Sequence, residues 1–79
     1  MKFSEMMKII NRMIKNGVTT INRSDVLKLF GRDDEQIADE LRYLGCEVQR
    51  VADLFNVTFG ETFTKDEIKK QMEIERIYW

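Results

Sequence analysis

Gly17-Val18-Thr19-Thr20-Ile21, then Asn22 to Phe30, Asp33 to Leu44, Cys46 to Val51 and Phe55 to Phe59, is the stretch whose reading decides the fold. The β-branched run Val18-Thr19-Thr20-Ile21 predicts a short strand. Asn22 is placed to cap a helix, with Asp25 in the first turn, where the helix dipole favours negative charge. Val26, Leu27, Leu29 and Phe30 supply its apolar contacts, and Gly31 closes it. Asp33 with Gln36 resembles a capping box opening the next helix, in which Ile37, Ala38, Leu41 and Leu44 share one face before Gly45. The turn Gly31-Arg32-Asp33 is short, and such helix pairs cross at a steep angle. Cys46 to Val51 alternates as a strand does, and Phe55 to Phe59 does so more cleanly, with Phe55, Val57 and Phe59 on one face. Ala52-Asp53-Leu54 is then the hairpin loop, although it lacks an Asn-Gly turn signal.

Outward from this stretch, Ser4 is placed to cap a first helix running to about Asn16. Phe3, Met6, Met7, Ile9, Ile10, Met13 and Ile14 form its broad apolar stripe, and Lys8, Arg12 and Lys15 lie opposite. A methionine stripe at this spacing is read as core. On the other side, Thr64-Lys65-Asp66-Glu67 is a capping box opening a last helix. Ile68, Met72 and Trp79 gather on one side of that helix, whereas Ile74, Ile77 and Tyr78 point elsewhere. A terminal helix apolar on two sides is expected to meet a second subunit or a partner, so Ile74, Ile77, Tyr78 and Trp79 are the candidate dimer contact. The alternation of Met72 and Ile74 with glutamates also fits a strand, which leaves residues 72–79 open between the two.

The chain of 79 residues is expected to form one domain, with a core over residues 1–62 and an appended helix over 63–79. A domain this small buries only about 60% of the surface of its unfolded chain, so its stability is expected to be marginal. The hydrophobic fraction of 43% and charged fraction of 34% suit a soluble globular protein. There is no proline, and Gly17, Gly31, Gly45 and Gly60 fall at element ends, where positive φ is expected. Cys46 is the only cysteine, which points to a reduced, cytoplasmic setting. Lys8, Arg12 and Lys15 break any signal-peptide run, and no apolar run is long enough to span a membrane. Net charge is -1 but unevenly placed. Residues 1–32 carry seven cations against two carboxylates, and residues 33–64 carry two against eight. One face for anions and another that repels them is the expected outcome.

Catalysis finds little support. Without histidine the commonest acid-base residue and metal ligand is missing, and neither a Ser-His-Asp triad nor a Cys-His pair can form. Cys46 alone builds no zinc site and reads as a small packing residue. Asp33, Asp34 and Glu35 are adjacent and diverge around a helix, so capping explains them better than metal binding. No Gly-rich phosphate loop is present. The expectation is a protein that is not an enzyme and takes no cofactor or metal.

Thr20 to Gly31 looks like the first half of a helix-turn-helix, and Asp34 to Gly45, ending Leu41-Arg42-Tyr43-Leu44-Gly45, looks like the second. With the hairpin that follows, residues 1–60 resemble the winged helix-turn-helix superfamily. The resemblance implies an α+β fold: a three-helix core, a short first strand, a two-stranded wing and an added C-terminal helix common in dimeric members. It implies a transcriptional regulator binding double-stranded DNA, with the second helix in the major groove. Gln36, Arg42 and Tyr43 would then meet bases or backbone, Arg50 and Asn56 would serve the wing, and Arg23, Lys28 and Arg32 would hold phosphates. Asp34, Glu35, Asp39 and Glu40, however, stand where a DNA reader carries neutral or basic residues. A second reading follows from them: a protein-binding accessory factor or inhibitor, of the kind a phage or other mobile element encodes, docking this acidic helix on a basic partner surface.

Overall fold

The computed structural model describes residues 1–52 and 54–78. Among these the order is α1 (Phe3–Lys15), β1 (Thr20–Asn22), α2 (Arg23–Phe30), α3 (Glu35–Tyr43), β2 (Glu47–Val51), β3 (Leu54–Thr58) and α4 (Lys65–Tyr78). The fold is α+β, with four helices and one antiparallel sheet ordered β1-β3-β2 among the described residues. Val57 sits between Ile21 of β1 and Val48 of β2, so the central strand carries the register of both neighbours.

Local chemistry explains most boundaries. Asn22 Oδ1 accepts the Asp25 N–H at 3.0 Å, starting α2, and Gly31 ends it at φ 77°, donating its N–H to Leu27 O at 2.9 Å. At α4 the capping box is reciprocal: Thr64 Oγ1 accepts from Glu67 N at 3.1 Å, and Thr64 N donates to Glu67 Oε1 at 3.0 Å. Hydrogen bonding to the carboxyl from the Thr64 N–H, and after it from the Thr64 side chain, holds Glu67 below its usual range.

Several expectations are corrected. Ser4 does not cap α1; the N-cap is Lys2, which makes no side-chain bond, and Ser4 lies buried inside the first turn. The first strand starts at Thr20 rather than Val18, because the Val18 N–H is taken by Met13 O at 2.9 Å in closing α1. Asp34, not Asp33, caps α3, its Oδ1 accepting from Ile37 N at 3.0 Å. Cys46 precedes β2, its N–H spent on Leu41 O. Phe59 follows β3 and donates its N–H to Thr19 O at 2.9 Å. Leu54 belongs to β3, opposite Val51, rather than to the hairpin loop, in which Ala52 takes φ 57° and Asp53 lies outside the described residues. Gly60 is not at positive φ; a Cβ there would stand 3.0 Å from Gly45 O, so close backbone approach makes the demand. Residues 72–78 are helical, and Trp79 lies outside the described residues.

The core gathers Met6, Ile10, Ile21, Val26, Phe30, Ile37, Leu41, Cys46, Phe55, Val57 and Phe59. The alternation of β3 delivers Phe55 and Val57 to one face, and the 3.6-residue period of α3 delivers Ile37, Ala38 and Leu41 to the other side of the same core. Met6 and Met7 are buried, in keeping with the core reading of the methionine stripe, while Leu27 turns to solvent.

Helices α1 and α4 pack antiparallel, tied at both ends. Asn11 Nδ2 donates to Phe63 O at 2.8 Å, and Phe63 N donates to Asn11 Oδ1 at 2.7 Å. At the opposite end Ser4 Oγ meets Glu75 Oε1 at 2.5 Å. The side of α4 turned inward is therefore Ile68, Gln71 and Glu75, and Met72, expected beside Ile68, is exposed.

Candidate binding faces

Of the residues expected to grip phosphate, the two arginines are already paired with carboxylates. Arg23 Nε lies 2.9 Å from Asp33 Oδ2, with its guanidinium 6.0 Å from the Phe55 ring centroid. Arg32 clasps Asp34 with Nη2 at 3.1 Å and Nε at 3.3 Å, and stands 4.0 Å from Glu40. Arg42 bonds Asp39 at 2.8 Å, one turn back along α3. Arg50 reaches from β2 to Glu35 at the start of α3, and its guanidinium lies 5.4 Å from the Phe55 ring. Of the cations assigned to DNA, Lys28 makes no ion pair among the described residues.

Each acidic residue assigned to a protein partner thus has an arginine neighbour. Asp34 does two jobs: the Ile37 N–H, and after it the Arg32 side chain, hold its carboxyl below the usual range. A depressed carboxyl supports the fold above its unfolded pKa and loses that support as pH falls through the folded value. Exposed pairs such as these are screened by solvent and cost side-chain entropy, so they do not hold the fold together. Their consequence is electrostatic: a phosphate arriving at this face meets guanidinium groups that carboxylates already occupy.

The rest of the face is polar or apolar. Gln36 is exposed on α3, and Tyr43, 76% exposed, leans its ring on Phe3 with centroids 5.2 Å apart. At the hairpin tip Val51 and Leu54 are 65% and 62% exposed, while Arg50 is turned back toward α3. A hairpin built to follow DNA backbone would present cations where this one presents aliphatic side chains. On α4, Ile74, Ile77 and Tyr78 of the expected dimer contact stand in solvent, Tyr78 at 82%.

Cys46 is 6% exposed, and burial pushes its thiol up to about 11, with a backbone hydrogen bond from Gly60 acting weakly in the other direction. Modification by a thiol reagent at pH 8 is expected to run at least ~100-fold slower in the native protein than in urea, since only the thiolate reacts. Rates that match with and without urea would refute the buried placement. Among the described residues no group of three or more His, Cys, Asp or Glu is placed to hold a metal ion, and no helix is long and apolar enough to cross a membrane.

The pairing missed from sequence is Ser4 with Glu75, both buried. One signal was available: Glu75 lies seven residues after Ile68, on the stripe that faces inward. Comparison with protein-family models, with curated proteins and with solved structures finds no match.

Proposed function

We propose that the chain is a winged-helix module that binds another protein through α3 and the tip of the β2–β3 hairpin, as an accessory factor or inhibitor. The element order and the sheet order support the winged-helix reading. One observation carries the choice of partner: Arg23, Arg32, Arg42 and Arg50 are all held by carboxylates of residues 33–40. That arrangement removes the free positive field that non-specific DNA affinity needs. It leaves a mosaic of paired charges beside exposed Tyr43, Val51 and Leu54. Aromatic and arginine side chains with an apolar centre are what protein interfaces favour. A homodimer through Ile74, Ile77 and Tyr78 belongs to the same proposal, because it covers the apolar side of α4 left in solvent.

The DNA-binding regulator stays as a second reading because Gln36, Arg42 and Tyr43 are all exposed on α3, where a duplex would meet them. It requires phosphates to displace four carboxylates. Asp39→Lys separates the two readings. Asp34 is unsuitable for this test, since it caps α3. Wild-type protein is expected to retain a basic partner from an extract of its source, Asp39→Lys to lose it, and both to melt within a few degrees of each other. A duplex gel shift that Arg42→Ala and Arg50→Ala abolish, with the partner still bound by Asp39→Lys, would replace this reading with the second.

A further inference from the structure

The arginines of α2, the α2–α3 turn, α3 and the hairpin are spent, but the cations along α1 and α4 are not. Lys2, Lys8, Arg12, Lys69 and Arg76 are exposed, and among the described residues none of them forms an ion pair. The antiparallel packing of α1 on α4 brings them together. Lys2, Lys8, Met72 and Arg76 line one groove between the two helices, and Lys69 continues it along α4 beside Met72 and Arg76. Arg12 follows Lys8 by one turn on the same exposed side of α1. Two rows of cations thus border a groove between helices whose axes lie about 8–10 Å apart. Glu5 is the exposed carboxylate in its wall and Glu73 flanks its Lys69 end, while the Glu75 carboxylate beneath is turned to Ser4.

We propose that this α1–α4 groove binds the sugar–phosphate backbone of a nucleic acid. Cations held by no carboxylate attract phosphate and release its counterions. Among the described residues Met72 is the one apolar side chain exposed in the groove, which gives a bilayer little to take up and an acidic protein no central anchor. A backbone needs neither. The inference is independent of what α3 binds; with the function proposed above, the molecule would hold a basic protein at α3 and a polyanion at this groove.

Fluorescence anisotropy with a labelled oligodeoxythymidine and with a short duplex, each at two salt concentrations, tests it. At least one of the two is expected to bind, with a log–log salt slope from five cations of about −3.5 for the single strand or about −4.5 for the duplex. Lys8→Glu/Arg76→Glu is expected to weaken binding about tenfold or more, and Arg42→Ala/Arg50→Ala to change it by less than about twofold. Glu5→Lys is expected to tighten binding, a gain that misfolding cannot produce. The proposal is overturned if neither strand binds at low salt, or if the Arg42 and Arg50 substitutions cost more than those at Lys8 and Arg76. It is equally overturned if Glu5→Lys has no effect, or if phosphatidylserine vesicles or polyglutamate bind more tightly than both strands.

Discussion

Phe55→Ala is expected to leave little folded protein at 37 °C. The side chain is 2% exposed near the start of β3, among the core residues that α1, α2 and α3 contribute. Truncating a buried phenylalanine costs about 3–5 kcal/mol, from lost transfer energy and from the cavity left behind. At roughly 0.05–0.15 kcal/mol per residue, a domain of this length holds only ~4–12 kcal/mol in total. The same ring also lies beneath the guanidinium groups of Arg23 and Arg50. Its loss therefore loosens the attachment of α2 and of the hairpin to the α3 acids, at about 0.5–1 kcal/mol for each exposed cation–π contact. Urea unfolding followed by circular dichroism is the measurement, with Val51→Ala as the reference. Val51 projects from the next strand into solvent, so its truncation is expected to change stability by under ~0.5 kcal/mol. A Phe55→Ala midpoint no lower than that of Val51→Ala would refute the placement of this ring in the core.

Why Phe55 was identifiable from sequence, and Ser4 was not, comes down to the range of the interaction. The Phe55-Asn56-Val57-Thr58-Phe59 alternation is its own instruction: a period of two assigns three aromatic or aliphatic side chains to one face whatever lies opposite. The Thr64–Glu67 box and the Asn22 cap are equally local, each closing within three residues, and both formed as expected. The expected α3 cap is Asp33, and the observed one is its neighbour Asp34. What separates them is Arg23, ten residues away on α2, which holds Asp33 and leaves Asp34 to the Ile37 N–H. Ser4 looked like a helix start because it stands beside an apolar periodic run. Its actual partner is 71 residues distant, beyond the reach of any local pattern.

The candidate faces follow the same division. Sequence placed the acids after the Gly31-Arg32-Asp33 turn on a helix, and Glu35, Asp39 and Glu40 lie on α3. Pattern could not show that Arg50 of β2 reaches Glu35 and Arg23 reaches Asp33, since those contacts need α2, α3 and the hairpin already packed. The expected split into an anion-attracting and an anion-repelling half also shifts in space. The positive charge of residues 1–32 divides, with Arg23 and Arg32 paired with Asp33 and Asp34, and Lys2 and Lys8 left beside α4.

Ser4 and Glu75 are expected to be strongly coupled. Glu75 is a carboxylate 3% exposed on an otherwise solvated helix. It accepts from Ser4 Oγ at 2.5 Å, and its two oxygens lie 3.3 and 3.4 Å from Ser4 N. Because Lys2 gives α1 no side-chain cap, Glu75 acts as that cap from another helix, with its negative charge at the positive end of the α1 dipole. Ser4→Ala removes the hydroxyl donor but leaves the carboxylate buried, at a cost of about 1–3 kcal/mol. Glu75→Leu strands the hydroxyl and N–H of Ser4 and is expected to cost a similar amount. Replacing both groups by apolar ones leaves far less unsatisfied, so Ser4→Ala/Glu75→Leu should be less destabilised than the two single losses added together, with a coupling of roughly 0.5–3 kcal/mol. Glu75→Gln keeps the shape and gives up the charge, so its loss relative to wild type reports the charged part of the bond. Four urea curves complete the cycle. If the single losses simply add, Glu75 contributes nothing through Ser4, and α4 is held on α1 by the Asn11–Phe63 bonds and by apolar contact alone.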